Sequence, residues 1–428
     1  MILGGDGYLG WSLGLAFGNR TDENVVLVDN FVKRQWEQEV NAKLLVPFKE
    51  MPERLALYNK LFDKSNISFE KVELMDYDAV AKVIKKHKPY AIINAAQQPS
   101  APFSMMNAKN ASVTFQNNIL GHLNILWAIS DIDKDITYIK LGSGGCYMDI
   151  DTDYVPLEKV DLDFTKNGKA GKILNSWIPM QTTDFYHQSK ISDFLINDLC
   201  ATMWGLKVVT VQQATIFGAT IAENLPVSHH GLSTRFNYDA VFSTVLNRFV
   251  CQIAIGHPLT VYGDGNQTTG LISLSDTVDN FLKFAKMKVK HGEHKVIHNY
   301  TLRYSILDIA KKLIAIDKNA KASFIANPRM EGVQQLSKTV EVHELLKDQH
   351  QNKEANLDKE LADLLEFTAL YKHNIDPSII CPKVKWQKSE NEEAPEEMVR
   401  KINTEQREDP SLMVQNIEWE GAELKVAK

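Results

Sequence analysis

The first half of the chain alternates short apolar runs with longer amphipathic segments. The apolar runs are rich in Val and Ile, which predicts β-strands covered on both faces. They lie at residues 25–28, 91–93, 136–139 and 208–211. Between them the apolar residues recur at helical spacing, near residues 8–18, 78–87, 117–130 and 183–203. This alternation predicts an α/β fold with a doubly wound, mostly parallel sheet of the Rossmann type.

The pattern becomes less regular after about residue 213. Residues 219–236 carry Pro, Gly and two adjacent His, which predicts a long loop or a substrate-facing segment. A helical pattern follows at 238–255, and a Gly-His-Pro break separates it from a short apolar run at 259–262 that predicts a strand.

These features predict three regions. Residues 1–212 form the dinucleotide-binding domain, and 238–265 return to it. Residues 213–387 otherwise form a smaller mixed α/β domain that binds the substrate. Residues 388–428 are rich in Glu, Asn and Gln, which is typical of a solvated extension with at most one short helix.

Composition narrows the functional classes. The 428 residues carry a net charge of −6, and eleven acidic against six basic residues in 388–428 account for most of it. A nucleic-acid partner would normally need a basic excess, and a membrane span needs roughly 18 consecutive apolar residues; the sequence has neither. The amino terminus has no basic region typical of a signal peptide. We expect a cytoplasmic protein without a metal site or a disulfide framework, because no two of its four cysteines are closely spaced. They are Cys146, Cys200, Cys251 and Cys381.

A glycine-rich segment predicts a dinucleotide site. Gly4-Gly5-Asp6-Gly7-Tyr8-Leu9-Gly10 fits G-x-x-G-x-x-G between a short strand and a helix. Gly4 permits the tight turn, Gly7 lets the backbone approach a pyrophosphate, and Gly10 allows close helix–strand packing. The next strand ends in Asp29, whose carboxylate can hold a ribose diol and repels a 2′-phosphate. The pattern therefore predicts NAD rather than NADP.

Other residues extend this site. Lys33 and Arg34 lie just after Asp29 and soften the preference against a 2′-phosphate. Asp76 is placed either to contact the adenine or to cap the helix that follows it. The predicted cofactor set is Gly4, Asp6, Gly7, Tyr8, Leu9, Gly10, Asp29, Asn30, Arg34, Asp76, Asn118, Tyr186, Lys190 and Gln213.

The spacing Y-x-x-x-K at Tyr186 and Lys190 predicts a catalytic pair, since residues i and i+4 share one face of a helix. A tyrosine with a pKa of about 10 is a poor base at neutral pH. We expect the neighbouring cation to lower that pKa, so that Tyr186 can remove a hydroxyl proton as hydride leaves for NAD. Ser143 follows a predicted strand and can hydrogen-bond the reacting oxygen. Asn118 is a candidate for a polar contact that supports Lys190.

The glycine loop, Ser, Tyr and Lys occur in the order and spacing of the extended short-chain dehydrogenase/reductases, which the chain resembles. Within that superfamily it resembles the UDP-sulfoquinovose synthases over roughly residues 1–387. The strings that carry this resemblance are Gly4–Tyr8, Val28–Asn30, Ser100–Met105, Lys140–Ser143, Phe185–Lys190, Tyr238–Phe242, Leu246–Phe249 and Gly256–Gly263.

The resemblance implies a reaction. Transient oxidation of UDP-glucose at C4 by NAD acidifies the C5 proton, water leaves from C5–C6, sulfite adds at C6, and hydride returns to C4. It implies that Tyr186 is the C4 base, Lys190 its activator, Ser143 the hydroxyl at the substrate oxygen, and His187 the residue facing C5–C6. Without the resemblance, His187 would be interpreted as an ordinary residue on the helix surface.

The resemblance also implies partners. UDP-glucose and sulfite are the expected substrates, and a homodimer is expected through the helices near 117–130 and 183–203. The implied substrate-binding residues are Gln98, Ser100, Ser143, Gln213, Arg235, Asn247, Arg248, Thr260, Tyr262, Gln267 and Arg329. Arg248 or Arg329 can grip the diphosphate with a planar, bidentate guanidinium group.

The chain departs from the family pattern at several positions. Serine replaces a threonine at 143, which keeps the hydroxyl. Five further departures remove charged side chains: Gln97 and Cys146 stand where the family has glutamate, and Pro99 and Thr269 where it has arginine. Ser275 replaces another arginine.

Two alternative functions remain open. A UDP-sugar 4-epimerase or related nucleotide-sugar enzyme needs only the NAD site with Ser143, Tyr186 and Lys190. A non-catalytic, NAD-binding regulatory protein would keep the fold but would not need these reactive groups. An ordinary sugar 4,6-dehydratase is disfavoured, because Gly144 and Gly145 occupy the positions of its Asp-Glu pair.

Overall fold

A computed structural model describes most of the chain. The described residues are 1–147, 154–325, 327, 329, 339–340, 343–347, 353–381, 384, 386, 412–414, 419–420 and 423–424. Within this part of the chain, no helix has the length and apolar character needed to cross a membrane. The same residues contain no cluster of three or more His, Cys, Asp or Glu side chains arranged for a metal ion.

The strands are numbered in chain order. They are β1 Ile2–Leu3, β2 Val25–Asp29, β3 Ile67–Lys71, β4 Ala91–Asn94, β5 Thr137–Leu141, β6 Tyr154–Val155, β7 Val160–Lys166, β8 Lys169–Ser176, β9 Lys207–Gln213, β10 Thr215–Phe217, β11 Leu259–Tyr262, β12 Thr268–Ser273, β13 His294–Asn299, β14 Leu302–Ser305, β15 Ala322–Ile325, β16 Thr339–Val340, β17 Leu412–Val414, β18 Trp419–Glu420 and β19 Glu423–Leu424.

The α-helices are numbered in the same way. They are α1 Tyr8–Arg20, α2 Val32–Glu39, α3 Met51–Phe62, α4 Tyr77–His87, α5 Ala101–Met105, α6 Ala108–Phe115, α7 Gly121–Ile132, α8 Phe185–Trp204, α9 Val245–Ala254, α10 Leu274–Phe284, α11 Ile306–Ile316 and α12 Lys353–Leu370.

A seven-stranded parallel sheet forms the centre of the larger unit, in the order β13-β9-β5-β4-β1-β2-β3. Its strands are apolar because helices cover both faces: Leu27 and Ile139 pack on one side, and Val28 and Tyr138 on the other. The predicted doubly wound α/β fold is confirmed. The strand order reverses between β1 and β4, which is where such sheets bind their ligands.

Residues 238–265, predicted to return to the dinucleotide-binding domain, contribute no strand to this sheet. The returning segment is β13, which pairs in parallel with β9, while α9 and β11 belong to a second apolar core together with α11 and β15. Only the long-range pairing decides which of these segments completes the sheet.

The predicted helix 238–255 begins only at Val245. The Asp239 carboxylate accepts the N–H groups of Val241 and Phe242, each at 2.8 Å, and so holds a turn. Residues 241–244, directly before α9, line a cavity and are partly buried, so an apolar pattern occurs here without a helix. The predicted loop 219–236 contains one 3₁₀ helix, Val227–Leu232.

A π-helical segment, Gln116–Leu120, precedes α7 within the predicted helix 117–130. Such a bulge turns side chains out of their normal helical register. Asn118, within this segment, is buried and bonds to Gln98 and Ser189. The predicted extension 388–428 lies mostly outside the described residues, although β17 within it pairs in parallel with β15.

Candidate active site

The glycine loop connects β1 to α1 as predicted. Gly7 is the residue before the helix, and no side chain caps the first N–H groups of α1. A Cβ atom on Gly10 would lie 1.9 Å from the Gly4 carbonyl oxygen, so only glycine permits this close packing. An open helix amino terminus with this cradle fits a dinucleotide pyrophosphate.

A small cavity of about 60 Å³ continues from the loop along the carboxyl end of β2. Asp29 and Asn30 line it. The Asp29 carboxylate accepts the N–H of Asp6 at 3.0 Å and of Phe31 at 2.7 Å, and burial raises its pKa. The carboxylate is thus held at the position where a ribose diol is expected in this fold.

Asp6 is surrounded by arginine. Its carboxylate accepts two hydrogen bonds from Arg34, both at 2.9 Å, and also contacts Arg54 and Arg235. Arg235 is paired with the buried Glu37 as well. Asp6 is thus held by three guanidinium groups, and Arg34 and Arg235 each have a second carboxylate partner, Glu50 and Glu37.

Four residues of the predicted cofactor set, Arg34, Asp76, Asn118 and Lys190, line neither cavity. Asp76 caps α4 by accepting the N–H of Ala79 at 3.0 Å. Asn118 accepts the N–H of Gln98 at 2.8 Å and donates to Ser189 at 2.9 Å. Asn118 therefore contacts α8, which carries the predicted catalytic pair, through Ser189 rather than through Lys190 itself.

A cavity of about 390 Å³ extends from the glycine loop to residues of α9 and β11. It brings together most of the predicted site. The predicted residues that line it are Gly4, Gly7, Tyr8, Leu9, Gly10, Ser100, Ser143, Tyr186, His187, Gln213, Arg235, Asn247, Arg248, Thr260, Tyr262, Gln267 and Arg329. Lys190 and Gln98 are buried behind its wall, and Gln98 bonds to Ser100 and Thr114.

Ser143 and Tyr186 face this cavity together. Ser143 caps a single 3₁₀ turn by accepting the N–H of Gly145 at 3.2 Å. The Lys190 ammonium donates to the Leu141 carbonyl at 2.7 Å and lies 5.5 Å from the centre of the Tyr186 ring. Helix α8 and the end of β5 thus hold all three groups.

The expected lowering of the Tyr186 pKa is not found. Burial, followed by the negative charges around it, raises the pKa of Tyr186 above its usual 10. The large shift that favours proton transfer is on Lys190 instead. Burial, and after it the positive charge of Lys140, lowers the pKa of Lys190 from 10.5 to about 7. Desolvation outweighs the attraction on which the sequence argument relied.

A buried ion pair lies beside Lys190. The Lys140 ammonium is 3.0 Å from the Asp193 carboxylate, and both side chains are almost completely buried. Asp193 also accepts a hydrogen bond from Gln97 at 3.0 Å. The sequence analysis did not single out Lys140 or Asp193 as charged neighbours of the site. A lysine inside an apolar strand, with an aspartate three residues after Lys190, was the available signal.

His187 lies beside Tyr186, with ring centres 4.8 Å apart. Its Nδ1 is 2.6 Å from one oxygen of Asp184, and the other oxygen accepts the His187 N–H at 2.8 Å. Asp184 is the N-cap of α8, which sequence reasoning missed although an aspartate directly before a helical pattern is a capping signal. A Cβ atom on Gly145 would meet the His187 Nε2 atom at 2.4 Å.

At the far end of the cavity, two arginines flank Tyr262. The guanidinium carbons of Arg248 and Arg329 lie 5.4 Å and 5.2 Å from the centre of its ring. Asn247 accepts the N–H of Gly218 at 3.0 Å, which fixes the amino-terminal turn of α9 against the end of β10. The two cations are suited to a diphosphate.

Comparison with known proteins shows the family to which the chain belongs. The model of the NAD dependent epimerase/dehydratase family matches residues 1–298. A chloroplastic UDP-sulfoquinovose synthase from Spinacia oleracea is 32% identical over 394 residues, covering 91% of this chain and 79% of the spinach protein. A UDP-sulfoquinovose synthase from Sulfolobus acidocaldarius is 30% identical over 396 residues, covering 91% of this chain and 97% of its own.

Solved structures show the same fold. A UDP-glucuronic acid 4-epimerase from Bacillus cereus, crystallised with UDP-glucuronic acid and NAD, superposes with a TM-score of 0.57. It is 18% identical, and the match covers 87% of this chain and 98% of that one. Taken with the glycine loop, Asp29 and the Tyr186–Lys190 pair, these matches establish that the chain belongs to the NAD-dependent epimerase/dehydratase family of enzymes, with UDP-sulfoquinovose synthases among its relatives.

Proposed function

We propose that the protein is a UDP-sulfoquinovose synthase that converts UDP-glucose and sulfite to UDP-sulfoquinovose. The observation that carries the proposal is the single cavity that joins the glycine loop to Ser143, Tyr186 and His187. The sequence identity of 32% and 30% to two UDP-sulfoquinovose synthases, each over 91% of the chain, supports the same substrate.

The proposed roles follow from position. NAD, when bound along the glycine loop and Asp29, supplies the hydride acceptor. Ser143 hydrogen-bonds the C4 oxygen, and Tyr186 takes its proton with Lys190 as the neighbouring proton carrier. His187 acts at C5 and C6, because its ring lies beside Tyr186 on the cavity wall.

The uridine diphosphate occupies the opposite end of the cavity. Arg248 and Arg329 bind the diphosphate, since both guanidinium groups stand beside Tyr262 at the cavity lining. The remaining lining residues proposed to bind the substrate are Ser100, Gln213, Arg235, Asn247, Thr260 and Gln267. Gln98 supports them from behind the wall through Ser100.

The test is product identity. Purified protein is incubated with UDP-glucose and isotopically labelled sulfite, and the nucleotide sugars are identified by mass spectrometry. The proposal expects a sulfonated UDP-hexose. UDP-galactose without any sulfonated sugar contradicts it and identifies a 4-epimerase. Tyr186→Phe is expected to abolish turnover while NAD stays bound, and full activity of that variant removes Tyr186 from the mechanism.

We also infer a homodimer that packs through α7 and α8. These helices expose large apolar side chains, among them Trp127, Leu195, Leu199 and Met203, which are 45%, 56%, 58% and 69% exposed. Sedimentation analysis is expected to give a dimer, which Leu199→Lys dissociates; a monomeric wild-type protein contradicts the inference.

All four cysteines are free thiols, which fits the reducing cytoplasm that we propose as the location of the protein.

A further inference from the structure

The wall of the sugar site contains a carboxylate–imidazole pair. Asp184 stands at the amino terminus of α8 and His187 in its first turn. One Asp184 oxygen is 2.6 Å from Nδ1 of the ring, and the other accepts the backbone N–H of the same residue at 2.8 Å. Asp184 is 5% exposed, so water competes little for either bond.

The pair leaves one ring nitrogen on the cavity side. An N–H at Nδ1 donated to Asp184 leaves the lone pair of the neutral ring on Nε2. Nε2 lies against Gly145, where an added Cβ would be only 2.4 Å away, and His187 and Gly145 both line the cavity. The ring therefore sits where a hexose bound beside Tyr186 would present its C5 and C6 atoms.

Cys146 occupies the position of a glutamate in the resembling family, but it does not line the cavity. Its thiol is buried, makes only a 3.8 Å contact to the His187 carbonyl, and burial raises its pKa. A neutral, buried thiol is a poor base. The chain thus lacks the family's glutamate at position 146, and its carboxylate near the imidazole is Asp184, which bonds to Nδ1 of His187.

We propose that Asp184 is a positioning residue that fixes the tautomer and orientation of His187, so that His187 alone carries the C5 proton to the C6 hydroxyl. This rests on the proposed function. In the 4-keto sugar, Nε2 takes the C5 proton and the C5–H electron pair passes into the enolate. The enolate electrons then form the C5–C6 double bond as the C6–O bond breaks, and the imidazolium gives its proton to the departing hydroxyl as water. The pair returns to its starting state, and no further acid is required.

The experiment separates C4 oxidation from C5 chemistry. Enzyme with bound NAD is mixed with UDP-glucose in D₂O without sulfite. Deuterium at C5 is measured by mass spectrometry, and reduction of NAD by its near-ultraviolet absorbance. Asp184→Asn keeps an acceptor for the helix N–H but presents an amide to Nδ1. We expect C5 exchange to fall about 100-fold or more, while NAD reduction persists.

Two further variants distinguish positioning from folding. In a His187→Gln background, Asp184→Asn should cause no additional loss of exchange, since both changes remove the same function. Asp376→Asn, which alters another capping aspartate outside the cavity, should leave exchange unchanged. Wild-type exchange in Asp184→Asn contradicts the positioning role alone. A wild-type enzyme that reduces its NAD but never exchanges at C5 contradicts the proposed function and the relay with it.

Discussion

The pH dependence of C4 oxidation should be set by the buried charges around Lys190. Lys140 on β5 and Asp193 on α8 form an ion pair of 3.0 Å beside it. Burial and Lys140 together lower the pKa of Lys190 to about 7, and Asp193 opposes them. Because Tyr186 stays protonated, the Tyr–Lys pair accepts the C4 hydroxyl proton only after Lys190 has lost one. The rate should therefore rise as the pH passes about 7.

Lys140→Gln removes the positive charge and keeps an amide donor for Asp193. The lowering from 10.5 to about 7 corresponds to about 5 kcal/mol, at about 1.4 kcal/mol for each pH unit. Burial is the larger cause and remains in the variant. We therefore expect the pKa of Lys190 to rise by about one unit. At a pH below that pKa, C4 oxidation should then be roughly tenfold slower than in the wild type. Asp193→Asn removes the opposing charge, so the same midpoint should move to lower pH.

The assay is the initial rate of NAD reduction by UDP-glucose, recorded by stopped flow across neutral pH for the wild type and both variants. NAD content and circular dichroism control for misfolding, which matters because each variant leaves a buried charge unpaired. Equal midpoints in the three proteins, or shifts of the same sign, refute the assignment of Lys190 as the titrating group.

Three further changes test the site. Gly145→Ala places a Cβ 2.4 Å from the His187 ring, so C5 exchange should fall roughly 100-fold while NAD reduction persists; equal losses of both contradict this. Asp6→Asn leaves the guanidinium groups around it without their carboxylate, so urea denaturation should show a loss of about 3–5 kcal/mol, and an unchanged midpoint contradicts it. Gly10→Ala collides with the Gly4 carbonyl, so the purified protein should lack NAD; normal NAD content contradicts that.

The glycine loop and the first strands were predictable because their signals are local. β2 is a continuous apolar run ending at Asp29, and G-x-x-G-x-x-G fixes a turn between a strand and a helix. Tyr186 and Lys190 share one face of a helix by their spacing alone. Periodicity and motif therefore give β2, β4, β5 and β9 of the central sheet, the glycine loop and the Tyr186–Lys190 spacing.

The remaining features depend on long-range contacts. Nothing local distinguishes β13 from β11 as the strand that joins the sheet, and the turn held by Asp239 lies inside an apolar pattern typical of a helix. The Lys190 pKa depends on how deeply the site is buried and on Lys140, which is fifty residues earlier in the chain. Pairing and desolvation of this kind exist only in the folded chain.

The identity of the sugar nucleotide that leaves the active site tests the proposed function most directly. A single-turnover experiment mixes the enzyme and its bound NAD with UDP-glucose and labelled sulfite, then follows nicotinamide absorbance and quenched products together. Transient reduction, followed by reoxidation at the rate at which a sulfonated UDP-hexose appears, is the predicted result. Reoxidation that yields only UDP-glucose and UDP-galactose, with no label in any sugar, contradicts it.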